Sequence, residues 1–223
     1  MNAPHPSRWG ELFDLALDII DQANATFPVV RDWTIGGGTA LMLQIDHRES
    51  HDVDVFVPDP QVLPYLNPET QDMHLRNIPD DYVSDGASML KIVFEGMGEI
   101  DFISASSITD EPALATVIRN RQVMLETPAE IIAKKIVYRG ARIQPRDIFD
   151  IAAVAQAKGE TYLIDALSPY PDECDIALKA TRKINAELTR TVMSRLMHHE
   201  AFVSLADEAH GKALHVLERV TRA

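Results

Sequence analysis

Trp33-Thr34-Ile35-Gly36-Gly37-Gly38-Thr39-Ala40-Leu41, continued by Met42-Leu43-Gln44-Ile45-Asp46 and then by Asp52-Val53-Asp54-Val55-Phe56-Val57, is the stretch that decides the fold. Its first part reads as a short strand, Trp33–Ile35, running through three glycines into a helix over Thr39–Asp46. Its last part alternates polar and apolar residues until Pro58-Asp59-Pro60 stops it, the pattern of a half-buried strand. Residues two apart on a strand point to the same face, so Asp52 and Asp54 project together.

Working outward, residues from about Ser7 to Phe27 carry a helical stripe of Trp9, Leu12, Phe13, Ala16, Leu17, Ile19 and Ile20. Glu11, Asp14, Asp18 and Asp21 face away from it, and Pro28 closes the helix. Downstream, Pro64, Pro68 and Pro79 mark turns in a mixed segment with room for at most one short helix. Ser88–Phe94 and Glu99–Ile103 read as a hairpin through Gly96-Met97-Gly98, and Gln122–Leu125 as one more short strand. At Thr127-Pro128-Ala129-Glu130 the texture changes: a capping box with proline at the first helical position opens a run of helices. One begins at Pro145; another is expected over Ala180–Met197, with Leu188, Val192 and Leu196 as its core or interface stripe. The expected architecture is α+β: a small mixed sheet flanked by helices over 1–126, then an all-helical domain over 127–223. No internal repeat is present.

Composition bounds the function. The chain has 223 residues, 46% of them hydrophobic, with 10 glycines and 13 prolines, which excludes disordered and collagenous classes. No apolar run approaches the roughly 20 residues of a membrane-spanning helix, and Met1-Asn2-Ala3-Pro4-His5-Pro6 is not built like a signal peptide. The lone Cys174, between Glu173 and Asp175, suits a reducing cytoplasm and is expected to be inert. His198 and His199, adjacent on a helix, do not share a face and make a poor metal site. A net charge of −13 argues against a protein that coats nucleic acid nonspecifically. Residues 119–146 run against that total, with seven basic residues (Arg119, Arg121, Lys134, Lys135, Arg139, Arg142, Arg146) and two acidic ones. Such local positive charge is how an acidic protein still attracts phosphate.

The chemistry gathers on carboxylates and glycines. Asp101, in Ile100-Asp101-Phe102, is an aspartate inside an apolar strand, where an unpaired carboxylate is costly to bury. If its strand neighbours that of Asp52 and Asp54, three carboxylates converge, and Mg²⁺ or Mn²⁺ is their natural counter-charge. Gly36-Gly37-Gly38-Thr39 lets backbone approach a phosphate at a helix N-terminus, where free N–H groups and the dipole favour anions. A triphosphate grip followed by paired aspartates is the layout nucleotidyl transfer requires. Each piece alone has a plainer reading: a tight turn, a solvated strand face, an edge residue pointing to water.

These residues resemble the AbiEii/AbiGii-type nucleotidyltransferase toxins of the polymerase-beta-like superfamily. The resemblance runs through Ile35–Leu41, His47–Asp54, Glu99–Phe102, Thr127–Lys135 and Arg146–Asp150, while the last third of the chain matches only as generic helix. It implies that Gly37, Gly38 and Thr39 hold the triphosphate and that Asp52 and Asp54 bind metal. Asp101 would be the third carboxylate, helping to activate the acceptor hydroxyl. Arg48 and Ser50 would position the loop ahead of the aspartates. Lys135, with Lys134 as the competing register, would neutralise phosphates, and Asp147 would complete the set. The implied reaction is attack of a hydroxyl on the NTP α-phosphate with release of pyrophosphate, in a toxin of a toxin–antitoxin or phage-defence system with a cognate antitoxin. The acceptor is expected to be RNA, such as a tRNA 3′ end. A small-molecule or protein acceptor, or a nucleotide-binding module without turnover, are the alternatives.

Overall fold

Residues 6–194 and 199–222 are described by the computed structural model, and they fall into two units. One takes the chain up to Ala40, Ser50–Ser107 and Ala113–Glu126; the other takes Leu41–Glu49, Ile108–Pro112 and the chain from Thr127 on. Among the described residues no helix is long and apolar enough to cross a membrane.

The first unit carries strands β1 (Thr34–Gly36), β2 (Val53–Val57), β3 (Asp81–Ser84), β4 (Met89–Phe94), β5 (Gly98–Ser104), β6 (Ala113–Ile118) and β7 (Arg121–Glu126). They form one seven-stranded mixed sheet in the order β3-β4-β5-β2-β1-β7-β6. Two pairings are parallel, β2 with β5 and β1 with β7; the rest are antiparallel. Along β2, Val53, Val55 and Val57 are buried while Asp54 and Phe56 lie on the other face. Those valines, with Ile100 and Phe102 of β5, meet helix α1 (Trp9–Ala23), whose Leu12, Phe13, Leu15, Ala16, Ile19 and Ile20 are buried. Each large apolar side chain removed from water this way contributes roughly 1.5–3 kcal/mol. The helix stops short of Phe27 because Asn24 ties itself to Val30 by two 2.8 Å hydrogen bonds, one accepted and one donated by its amide, turning the chain toward β1.

Two strands go beyond the sequence reading. β3 joins β4 through Asp85, whose Oδ1 accepts from the backbone N–H groups of Ala87, Ser88 and Met89 at 3.0, 2.7 and 2.9 Å. β6 joins β7 through Arg119 and Asn120, both at positive φ, 47° and 64°. Two such residues make the tight turn whose twist matches a hairpin.

Helix α2 (Gly37–Ile45) starts at the glycine corner and passes from the first unit into the second after Ala40. The second unit otherwise consists of α3 (Pro128–Arg139), α4 (Pro145–Lys158), α5 (Glu160–Leu167), α6 (Pro171–Lys183), α7 (Ala186–Met193) and α8 (Leu205–Thr221), with α4 packed on α8, α5 and α7. Thr127 caps α3 by accepting from Glu130 N–H at 3.2 Å. Glu130 bonds elsewhere: its buried carboxylate accepts from Ile108 N–H at 3.0 Å and from the Thr109 backbone and hydroxyl at 2.8 and 2.6 Å. The helix expected over 180–197 is two helices, broken at Ile184, with Asn185 accepting from Glu187 and Leu188 N–H to start α7. That break rotates the stripe: Leu188 and Val192 are exposed, at 57% and 36%, while Thr189 and Met193 are buried. Leu196, Met197 and His198 lie outside the described residues.

Candidate active site

In the first unit, the parallel pairing of β2 with β5 sets Asp54 directly opposite Asp101. Both lie on the face away from the valines, so the same alternation that builds the core sets two carboxylates side by side. Burial, and then the charge of Asp54, push the Asp101 carboxyl up to about 6. Its Oδ1 is buried without a hydrogen bond. Lys91, opposite it on β4, is its cationic neighbour among the described residues, with Nζ 3.3 Å from Oδ1 and 3.4 Å from Oδ2. Lys91 also bonds Glu99.

The glycine corner is shaped by Asp54 and Glu126. Gly37 is at φ +64°, and a Cβ there would lie 1.9 Å from Asp54 Oδ2. A Cβ on Gly36 would lie 2.3 Å from Glu126 Oε2. Gly38 follows in the first turn of α2. Thr39 donates its hydroxyl proton to the Asp52 carbonyl, pinning the segment that leads into β2. Ser50 is buried, and its carbonyl accepts from the Ser7 hydroxyl at 2.5 Å.

The expected convergence of three carboxylates is only partly met. Asp52 precedes β2 and directs Oδ1 to the Glu99 backbone N–H at 3.1 Å, because a parallel neighbour offers its unpaired donor there. Among the described residues no three His, Cys, Asp or Glu side chains stand together as a metal cage. Asp54 and Asp101 nevertheless fit a divalent cation. Hard cations such as Mg²⁺ take one or two protein carboxylates and complete their shell with water and substrate phosphates, and Asp101 Oδ1 lacks a hydrogen bond.

The second unit holds the other expected residues in a separate ionic cluster. Asp150, fully buried, accepts from Arg48 Nε and Nη2 at 2.8 and 3.0 Å, from Lys135 Nζ at 2.7 Å and from His47 Nε2 at 2.9 Å. Asp147 receives Lys135 at 2.7 Å, Arg139 and the Gln144 N–H at 3.1 Å. Burial alone would raise both carboxyls. For Asp150, Arg48 and Lys135 outweigh it and hold the group well below the usual range; for Asp147, Lys135 and Arg139 outweigh it and lower the group. His47 is pushed down by burial, against the opposing pull of Asp150, and its ring stacks on Phe149 at 6.0 Å. The helix register sends Lys135 to the two aspartates and Lys134 to Glu130, at 3.5 Å.

Sequence reasoning left Asp150, His47, Lys91 and Glu99 unassigned. Asp150 had a signal: three residues after Asp147 on a helix, it shares that face. Lys91 had none, because its partner is set by strand register. The basic stretch 119–146 is also less open than its sum. Arg119 pairs with Asp14 at 2.8 Å and Arg121 with Asp21 at 2.9 Å, while Lys134, Lys135 and Arg139 are held as above. Arg142 and Arg146 stay exposed without an ion pair among the described residues. Cys174 is buried, with its thiol pushed up to about 12 by burial and by Glu173.

Residues 22–203 match the family described as Nucleotidyl transferase AbiEii toxin, Type IV TA system. Among solved structures, a protein from H. pylori described as a nucleotidyltransferase is 15% identical over 95% of this chain and 94% of its own, with a TM-score of 0.48. JHP933 from Helicobacter pylori gives 15% identity, 98% and 94% coverage and a TM-score of 0.48. The CD-NTase CdnG of Bradyrhizobium diazoefficiens, solved in complex with GTP, is 10% identical over 96% of this chain and 84% of its own, with a TM-score of 0.38. No curated protein matches the chain. The family match runs from within α1 to beyond α7 and takes in both carboxylate groups: the chain belongs to the AbiEii nucleotidyltransferase toxins of type IV toxin–antitoxin systems.

Proposed function

We propose that this enzyme transfers NMP from an NTP to the 3′-terminal hydroxyl of an RNA, tRNA being the acceptor, and that this cytoplasmic activity is the toxic one its cognate antitoxin counters. The observation that carries the proposal is Asp54 facing Asp101 across two parallel strands, against a glycine corner that no side chain could share. Asp54 and Asp101 would hold a divalent cation, Mg²⁺ or Mn²⁺. Bound there, such an ion neutralises phosphate charge and lowers the pKa of the attacking hydroxyl.

The chain's own groups supply the rest. The N-terminal N–H groups of α2 at Gly37 and Gly38 face an anion with the positive end of the helix, orienting the triphosphate. Thr39 holds the Asp52 carbonyl and so fixes the start of β2. Asp101 accepts the hydrogen bond of the incoming hydroxyl. The acceptor oxygen then bonds to the α-phosphorus as its proton passes to the Asp101 carboxylate, the bond to the bridging oxygen breaks, and pyrophosphate leaves with the electron pair. Lys135 and Asp147 are proposed to take part in the same reaction, Lys135 toward phosphate, as the family resemblance implies. Arg48 and Ser50 act by holding their loop, Arg48 through its two bonds to Asp150. Exposed Arg142 and Arg146 support RNA as the acceptor class, since cations without an internal partner gain most from phosphate.

The test is to incubate the protein with Mg²⁺, each α-labelled NTP in turn and total tRNA, with proteins and small alcohols as separate acceptors. Label on tRNA 3′ ends is the expected result. Label on protein or on a small molecule alone would replace the acceptor, and absence of any transfer would favour a binding module.

A further inference from the structure

Among the described residues of the first unit, Lys91 is a cation in contact with Asp101, and nothing in the proposed chemistry uses it. Strand register puts it directly across from Asp101. Its ammonium lies almost equally far from both oxygens of that carboxylate, 3.3 and 3.4 Å, a charge contact rather than a short, directed hydrogen bond. Oδ1 remains without a hydrogen bond even so. The same ammonium bonds Glu99, so it keeps a carboxylate partner when it leaves Asp101. At 24% exposure its side chain has room to move.

We propose that Lys91 is a built-in competitor for the cation position, neutralising Asp101 in the metal-free protein and setting how tightly the Asp54–Asp101 pair binds a divalent ion. The proposal rests on the reading of that pair as a metal cradle. Two opposed carboxylates without a nearby cation would repel each other, so the lysine keeps the metal-free sheet intact. The same positive charge opposes an incoming dication, and Glu99 is the acceptor to which the ammonium withdraws. Lys91 is thus a positioning residue that trades metal-free stability against metal affinity.

Mn²⁺ alone, without nucleotide, is the probe. Its binding is measured by electron paramagnetic resonance of the free ion on the full chain, for the natural protein, Lys91→Met, Lys91→Gln and Asp54→Asn. Removing one unit charge beside the ion is expected to tighten binding about tenfold in both lysine variants. Both should also melt at a lower temperature than the natural protein when metal-free and regain the difference with Mn²⁺. Asp54→Asn should weaken binding at least tenfold. Unchanged or weaker Mn²⁺ binding in the lysine variants, with the Asp54→Asn loss intact, overturns the role of Lys91 and leaves the cradle standing. Mn²⁺ binding indifferent to Asp54→Asn overturns the cradle, and the inference with it.

Discussion

At Asp101 a functional requirement and a stability cost meet in one carboxyl. Its folded-state value near 6 lies above the ordinary 3.8, so the folded protein favours the protonated form and the group destabilises it as pH rises from about 4 through 6. Asp101→Asn removes that charge from beside Asp54. In the metal-free protein at pH 7.5 it should raise stability by about 3 kcal/mol, the worth of lifting the carboxyl from 3.8 to about 6, a value that already includes the pull of Lys91. The gain should vanish at pH 4. Chemical denaturation at both pH values checks this, and a destabilised variant at pH 7.5 would contradict it. Gly37 makes a second residue-scale case. A Cβ there meets the Asp54 carboxylate as well as the φ of +64°, whereas a Cβ on Gly86, at φ +74°, meets nothing within 4 Å. Gly37→Ala should therefore lose activity and more stability than the roughly 1 kcal/mol expected of Gly86→Ala; equal losses in the two would show that Asp54 does not press on the corner.

Elements explain both what the sequence disclosed and what it withheld. The β1–glycine–α2 corner and β2 were legible because turn chemistry and period-two alternation are local. The pairing of β2 with β5 was only a condition, since strand neighbours depend on long-range order. β3 and β6 went unread: each is an edge strand with a mostly exposed face, so burial writes little alternation into it. The split of α6 from α7 was missed because Asn185 acts as a cap only if Ile184 leaves the helix. The α3–α4 pair carries a prediction of its own. Asp147 and Asp150 are depressed below the ordinary 3.8, so their stabilisation is present in full above about pH 4 and is lost as pH falls below it. Asp150→Ala leaves Arg48 and Lys135 without their shared partner and should cost about 3–5 kcal/mol at neutral pH. Thermal melts from pH 7 to pH 3 check both, the variant showing a shallower acid decline; a variant with natural stability at pH 7 would contradict them.

For the whole molecule, the charge of −13 argues against broad nucleic-acid coating, while the basic stretch leaves room for one local contact with nucleotide and RNA end. Most of that stretch is bound internally, because arginines on β-hairpin and helix surfaces find the acidic face of α1 or the buried aspartates. Arg142 and Arg146 are what remains. Reversing both to glutamate should raise the KM for tRNA several-fold and flatten its salt dependence, while the KM for NTP stays unchanged; equal effects on both substrates would remove RNA contact from this segment. Family membership fixes the molecule as a nucleotidyltransferase toxin, and the residues assigned to its chemistry rest on the Asp54–Asp101 pair. The most direct measurement is pyrophosphate release and label transfer from an α-labelled NTP by the natural protein, Asp54→Asn and Asp101→Asn, each with circular dichroism to verify folding. The account predicts loss of at least about a thousandfold in both folded variants, of the order expected when preorganised charge stabilisation is removed. Transfer by folded Asp54→Asn within tenfold of the natural rate would contradict it.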